Sequence, residues 1–383
     1  CTSPIASWRT SSRSWLAGTA LILCTPAGAA DFFVAPGGSD ADPGTAGRPF
    51  RTIAHARDKV RASARFRKEP ITIHLLGGVH YLGQPVVFTA ADSGTEAAPV
   101  TYRAAKGREV VVSGGRKLEL DWRPHRDGVL KAKTPPGLVM DQLFVNGERQ
   151  HMARYPNYDP DKRPYNGASA DAFSPERAAR WADPAGGFIH AMHRARWGGY
   201  HYEITGKTPD NIVAYRGGWQ NNRQMGMHKS HRFVENIFEE LDAPGEWFHN
   251  AGTRTLYYHP SAKTNLETSR IEVATLPHLV EFQGDGKNPV KHITLAGIVF
   301  RHATRTFMEN REPLLRSDWT IYRGGAVLFN GAEDCAIVDS EFDQVGGNAI
   351  FVNNYNRRIA IRGVHIHGAG ASAVCFVGDP ASV

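Results

Sequence analysis

The chain has 383 residues, 41% hydrophobic and 22% charged, a composition that supports a large buried core and excludes a disordered polymer. No apolar run is long enough to span a bilayer as a helix, so membrane insertion is not expected. The formal net charge is +7, but the 45 Lys and Arg residues are scattered, which argues against nucleic acid as a partner and leaves an acidic polysaccharide open.

Residues 1–30 read as a signal peptide. Arg9 and Arg13 precede the apolar stretch from Trp15 to Cys24, and the small residues Ala27-Gly28-Ala29-Ala30 follow. The mature chain is expected to begin near Ala30 or Asp31 and to be secreted or periplasmic. Leu23 stands where a lipidation motif needs a small residue, so Cys24 is not read as an anchor. Cys335 and Cys375 then remain, too few for a disulfide scaffold, and both read as core thiols.

Residues 31–116 read as an N-terminal cap and the first coils of a solenoid. A short strand at Phe32-Phe33-Val34 ends in Pro36-Gly37-Gly38, and a turn-rich loop runs to Pro49. From residue 50 to 68 the apolar residues Phe50, Ile53, Ala56 and Val60 recur at three or four, which predicts an amphipathic helix with one face to bury. Short strands follow at 71–76, 86–88, 100–102 and 110–112 without helices between them. Residues 117–274 lose this rhythm and are rich in Trp, Tyr, His, Arg and Pro, so they read as an inserted β-rich domain.

Residues 275–383 explain how such short strands are stable, because they repeat. Ala326-Val327-Leu328-Phe329-Asn330 returns 23 residues later as Ala349-Ile350-Phe351-Val352-Asn353, and 24 residues after that as Ala373 to Val377. Cys335, Ile337 and Phe342 return as Ile359, Ile361 and Ile366, and Ile293, Leu295 and Phe300 fit the same frame if residues 307–323 loop outward. Such a period with glycine turns predicts an all-β, right-handed parallel β-helix, in which equivalent residues form columns ~4.8 Å apart. The helix at 50–68 is placed as the cap on its first, otherwise unpaired, coil.

Stacking the coils brings chemistry-bearing residues together. Arg301, Asp343 and His367 fall in one outward column and Glu341 stands beside His365. Asp339, Glu341 and Asp343 are expected to share one strand face at intervals of roughly 6.5 to 7 Å, and a glycosidase needs paired carboxylates about 5 to 5.5 Å apart for retention or roughly 6.5 to 9.5 Å for inversion. They are therefore the candidate catalytic carboxylates; as plain exposed charges each would contribute under about 1 kcal/mol. Asn330 and Asn353 end equivalent strands one coil apart, and Asn354 follows, where stacked amides satisfy one another or meet substrate. Trp197, Tyr200 and Trp219 offer aromatic faces for sugar rings, or else form the core of the inserted domain. With Asn353, Asn354, His365 and His367 they make up the candidate substrate-binding set. No Ser/His/Asp signature, phosphate loop or zinc spacing occurs, and neither a cofactor nor a metal is expected.

Two stretches resemble known sequences. The entrance Val34-Ala35-Pro36-Gly37-Gly38-Ser39-Asp40 with Arg48-Pro49-Phe50-Arg51-Thr52-Ile53 is similar to that of many secreted β-helix proteins. The run Leu143-Phe144-Val145-Asn146-Gly147-Glu148-Arg149, with Ala153-Arg154-Tyr155-Pro156-Asn157, and the run Phe238-Glu239-Glu240-Leu241-Asp242-Ala243-Pro244-Gly245-Glu246-Trp247 resemble glycoside hydrolase family 141. That resemblance implies a β-helix with an inserted domain, a polysaccharide or oligosaccharide substrate, and α-L-fucosidase- or xylanase-like hydrolysis. The family's aspartates lie near a Gly-Asp-His-Gly type segment that is not present here, so no catalytic residue is carried over. The chain stops at Val383 directly after a coil strand. It is expected to be a C-terminal truncation with little hydrolase activity of its own. A polysaccharide lyase and a noncatalytic glycan-binding surface module are the rival readings.

Overall fold

The computed structural model describes residues 30–221, 225–314 and 319–379. The expected signal segment, apart from Ala30, lies outside the described residues. Where described, the chain is nearly all strand, and three parallel sheets organise it. The first contains Ala30–Val34, Ile71–Leu75, Val100–Ala104, Ile293–Ala296, Ala336–Val338 and Ala360–Arg362. The second contains Gly78–Tyr81, Val110–Ser113, Val299–Arg301, Glu341–Asp343 and His365–His367. The third contains Val86–Thr89, Val280–Gln283, Val327–Glu333, Ile350–Arg357 and Val374–Val377, with Val290–Lys291 paired at its side. From Ile71 onward the chain passes from the first to the second to the third and back, so each later pass lays one strand on each sheet, and Ala30–Val34 adds a sixth strand to the first.

Register turns this winding into a core. Leu295 pairs with Ile337 and Ile337 with Ile361, while Phe300 pairs with Phe342 and Phe342 with Ile366. Because parallel ladders put like positions side by side, apolar side chains form continuous inward columns. The Phe300 and Phe342 rings stack at 4.8 Å and those of Phe282 and Phe329 at 4.4 Å, all fully buried. Cys335 lies in this core, where burial pushes its thiol up to about 12 and leaves it inert.

One end of the stack is covered by the helix Ile53–Ala62. It is shorter than the expected 50–68: Thr52 caps its start by accepting from the His55 N–H, and Ser63 adopts extended dihedrals that end it. The segment beyond folds as turns, with Arg67 at φ 62 donating to the carbonyls of Ala90 and Ser93. Ile53, Ala56 and Val60 face the core, and Arg57 donates to the Val87 carbonyl at 2.6 Å, on the edge strand of the third sheet. The helix thus supplies both apolar cover and a donor to an otherwise unpaired edge.

Between Ser113 and Leu279 the chain leaves the stack and builds two further, largely antiparallel sheets of eight and five strands. Its first and last strands, Gly115–Leu118 and Ile271–Ala274, pair antiparallel, so departure and return are zipped together. One core surrounds Leu143, Trp247, Tyr258 and Ile271, and another surrounds Trp181, Ile189, Tyr200 and Val234. A hairpin joins this segment to the stack. Leu143–Val145 and Glu148–Met152 are linked by Asn146 at φ 55 and Gly147 at φ 86, the left-handed pair that a two-residue hairpin turn demands. Gln344 grips the hairpin through the Gly147 carbonyl at 2.6 Å and the Arg149 N–H at 2.9 Å.

The inward column generates a test. Phe342→Ala leaves a ring-sized cavity between Phe300 and Ile366 and is expected to cost about 3 to 5 kcal/mol in denaturant unfolding. A cost under about 1 kcal/mol would place Phe342 outside the core.

Candidate functional site

Three consecutive strands of the second sheet present the residues singled out by stacking. Alternation sends Phe300, Phe342 and Ile366 inward and their neighbours outward. Glu341 lies beside His365, and Arg301, Asp343 and His367 line up across the strands. His367 Nε2 is 2.8 Å from Glu341 Oε1, and its Nδ1 is 3.4 Å from Asp343 Oδ1. The two imidazole rings sit with centroids 4.7 Å apart. Arg301 Nε is 2.8 Å from Asp343 Oδ2 but off the line of its N–H, so this contact is an ion pair and not a hydrogen bond.

Two expectations need correction here. Asp339 does not share the strand face of Glu341 and Asp343; it sits at φ 48 in the turn before that strand, where its N–H donates to the Arg362 carbonyl. The turn breaks the two-residue alternation on which the face was counted. Asp343 points outward but is only 7% exposed, because Arg301 and the docked hairpin cover it. With Asp343 paired to Arg301 and Glu341 to His367, both candidate catalytic carboxylates already have partners.

The binding candidates separate in the same way. Trp197 is 56% exposed and stacks on His193 at 5.0 Å, and Trp219 is half-buried beneath the Arg311 guanidinium. Tyr200, in contrast, is 3% exposed within the second core of the intervening segment, so it is packing and not a sugar platform. Asn353 donates to Asn330, which donates to Gln283, an amide ladder running across neighbouring strands. Asn354, at φ 55, also donates to Asn330, and Arg323 closes the ladder on Asn353 at 2.7 Å. This is the structural alternative for the asparagines. His365 and His367 stay exposed.

Sequence reasoning did not foresee a cavity of about 580 Å³ framed by the hairpin and a facing loop. Val145, Asn146, Glu148 and Arg149 line one side and Ala243, Pro244, Gly245 and Glu246 the other, with His151, Tyr158 and Lys263 between. These are the two motifs that stood apart in the sequence, about a hundred residues distant from each other. Burial pushes the Glu246 carboxyl up to about 8, against the lowering pull of N–H donors from Asp242, Ala243 and Arg154. Burial likewise takes the His151 imidazole down to about 4, and its ring stacks on Tyr158 at 3.9 Å. Burial raises the Glu246 carboxyl toward the range of a general acid, while the three N–H donors on its two oxygens favour the carboxylate.

A buried charge network lies at the junction with the stack. Arg305 bridges Asp141 and Glu235, and Glu235 accepts from His190 Nε2 at 3.0 Å. His190 Nδ1 meets His201 Nδ1 at 2.7 Å. Burial alone would raise the Glu235 carboxyl, but Arg305 and His190 hold it below the ordinary range. Burial and His190 take His201 down to about 3, and burial with Arg301 takes His302 to about 3.

No sequence-family profile matches this chain. A solved glycoside hydrolase structure superimposes on 88% of this chain and 65% of its own, with a TM-score of 0.69 at 21% identity, a likeness of fold. A stretch of 88 residues is 34% identical to the uncharacterized protein YwoF of Bacillus subtilis, covering 23% of this chain and 16% of that protein. Another of 97 residues is 36% identical to the pectate lyase PEL9 of Emericella nidulans, covering 24% of this chain and 22% of the lyase. The chain spans less than a quarter of these curated relatives.

Two consequences are measurable. Asp343→Ala removes the nearer of the two carboxylates that face Arg301, leaving Glu109 at 3.7 Å, and is expected to cost about 1 to 3 kcal/mol, more than the small amount due to an exposed charge. Equal unfolding midpoints for Asp343→Ala and the native chain would contradict this. His201 and His302 stay neutral when folded, whereas unfolded histidine protonates near pH 6.5. Their folded values are depressed, so the unfolded state gains protons first and stability falls as pH drops from about 6.5 toward 3, by at most about 1.4 kcal/mol per pH unit for each. His201→Asn and His302→Asn should flatten the loss between pH 7 and 5. An unchanged slope in both variants would refute the assignment.

Proposed function

We propose that this chain is part of a secreted carbohydrate-active enzyme that cleaves glycosidic bonds in a plant-type polysaccharide. It would be built on a right-handed parallel β-helix, with residues 117–274 inserted as a domain. The observation that carries the reading is the convergence of two sequence-distant motifs on one cavity lined by Glu246, whose carboxyl burial raises to about 8. A cavity of about 580 Å³ is of the size that takes small ligands. Its mixed lining of carboxyls, Arg149, His151, Tyr158 and Lys263 suits hydroxyl-rich rings, and Glu246 would protonate the leaving oxygen. The finer assignment, to family 141 with α-L-fucosidase- or xylanase-like action, is supported by the 143–149 and 238–247 motifs. The fold likeness to a glycoside hydrolase supports the scaffold.

A second reading is favoured by Arg149 and Lys263 in the same lining, and by the local identity to a pectate lyase. An acidic uronate would pair with these cations, and a basic side chain would abstract a proton in β-elimination. The test incubates the longest reading frame containing this chain with xylan, fucosylated pectin fragments and polygalacturonate. New reducing ends without an unsaturated, ultraviolet-absorbing product mean hydrolysis; the unsaturated product means lyase action; binding without turnover means a glycan-binding module. For hydrolysis, Glu246→Gln should lower kcat roughly 100-fold or more, and the native rate should fall as pH rises through about 8, where the acid loses its proton. Full activity in Glu246→Gln would remove the cavity from the reaction.

A further inference from the structure

We propose that Glu341, His365 and His367 form a binding site for a divalent transition cation of the zinc class. Each offers one ligand atom, and these atoms all lie within 4.8 Å of one another. A tetrahedral zinc site with bonds of about 2.0 to 2.2 Å places its ligand atoms roughly 3.3 Å apart, so small side-chain rotations close the set. The ladder makes the arrangement: His365 and His367 are two residues apart on one strand and face the same way, and Glu341 is the lateral neighbour of His365. Two imidazoles and one carboxylate suit borderline ions such as Zn²⁺ or Co²⁺ better than Ca²⁺, which takes oxygen ligands.

A carboxylate stands behind the His367 ring as well. A metal-bound histidine characteristically donates its other ring N–H to a carboxylate, which fixes its tautomer and orientation. With His367 Nε2 turned to the cation, Nδ1 faces Asp343 Oδ1 at 3.4 Å. Asp343 is in turn held by Arg301 at 2.8 Å, so it orients the imidazole and does not compete for the ion. The histidines are exposed, so the cation has an entry path and solvent fills the remaining coordination position. The site uses none of the cavity residues and stands apart from the proposed cleavage activity.

The experiment titrates tag-free protein with Co²⁺ and follows visible ligand-field absorption, then repeats the titration with Zn²⁺ and Ca²⁺ by calorimetry. One equivalent of Co²⁺ with a tetrahedral-type spectrum, displaced by Zn²⁺ and ignored by Ca²⁺, is expected. His365→Ala and His367→Ala should each weaken binding roughly 10- to 100-fold. Circular dichroism checks that these exposed substitutions leave the fold intact. The absence of binding overturns the proposal, and so does binding of native strength in both histidine variants, which would locate the cation elsewhere.

Discussion

Everything in this molecule depends on the lateral pairing of like positions between successive passes of the chain. A parallel ladder in register carries each residue's neighbours along with it, so one inward Phe300 commits Phe342 and Ile366 to the core, and one outward Arg301 commits Asp343 and His367 to the flank. Most of these strands have five residues or fewer, too little surface to be stable alone. They persist because the rings and branched chains of the inward columns contact the passes on both sides, and because the helix Ile53–Ala62 packs its apolar face on one end of the columns.

The segment between Ser113 and Leu279 is joined to this scaffold by polar as much as apolar contacts. Gln344 holds the Asn146-Gly147 turn, Gln142 donates to the Ala303 carbonyl, and Phe144 lies on His302 at 3.8 Å. Arg305 binds two carboxylates from the segment at once. Buried charges of this kind add little net stability against an apolar packing, but leaving one partner alone is costly. The network therefore fixes one docking geometry, and that geometry fixes the position of the hairpin over the second sheet and the width of the cavity on its other side.

The same hairpin separates two chemistries. Toward the stack, Arg149 reaches the Gly368 carbonyl and Asp343 lies covered beside Arg301. Toward the facing loop, Glu148, Arg149 and Glu246 line the cavity. Arg301 pairs with Asp343 and His367 lies against Glu341, while burial raises the Glu246 carboxyl. Identical functional groups thus take different roles because their surroundings differ in charge and in access to water.

The sequence alone determined the inward columns, the pairing of Glu341 with His365 and of Asp343 with His367, the capping helix and the loss of rhythm after residue 116. Each of these follows from a local period or from spacing between repeats, which chain geometry converts directly into contacts. It misplaced Asp339 because a turn at positive φ interrupts the alternation, it misjudged Asp343, and it left Tyr200 open between core and sugar platform, because exposure depends on what lies above a side chain. The Glu246 cavity was legible only as two motifs without a relation between them. Residues 143–149 and 238–247 carry no shared period. Their meeting is set by the docking of a hairpin through Gln344 and Arg305, an interaction between distant parts of the chain that only the tertiary structure decides.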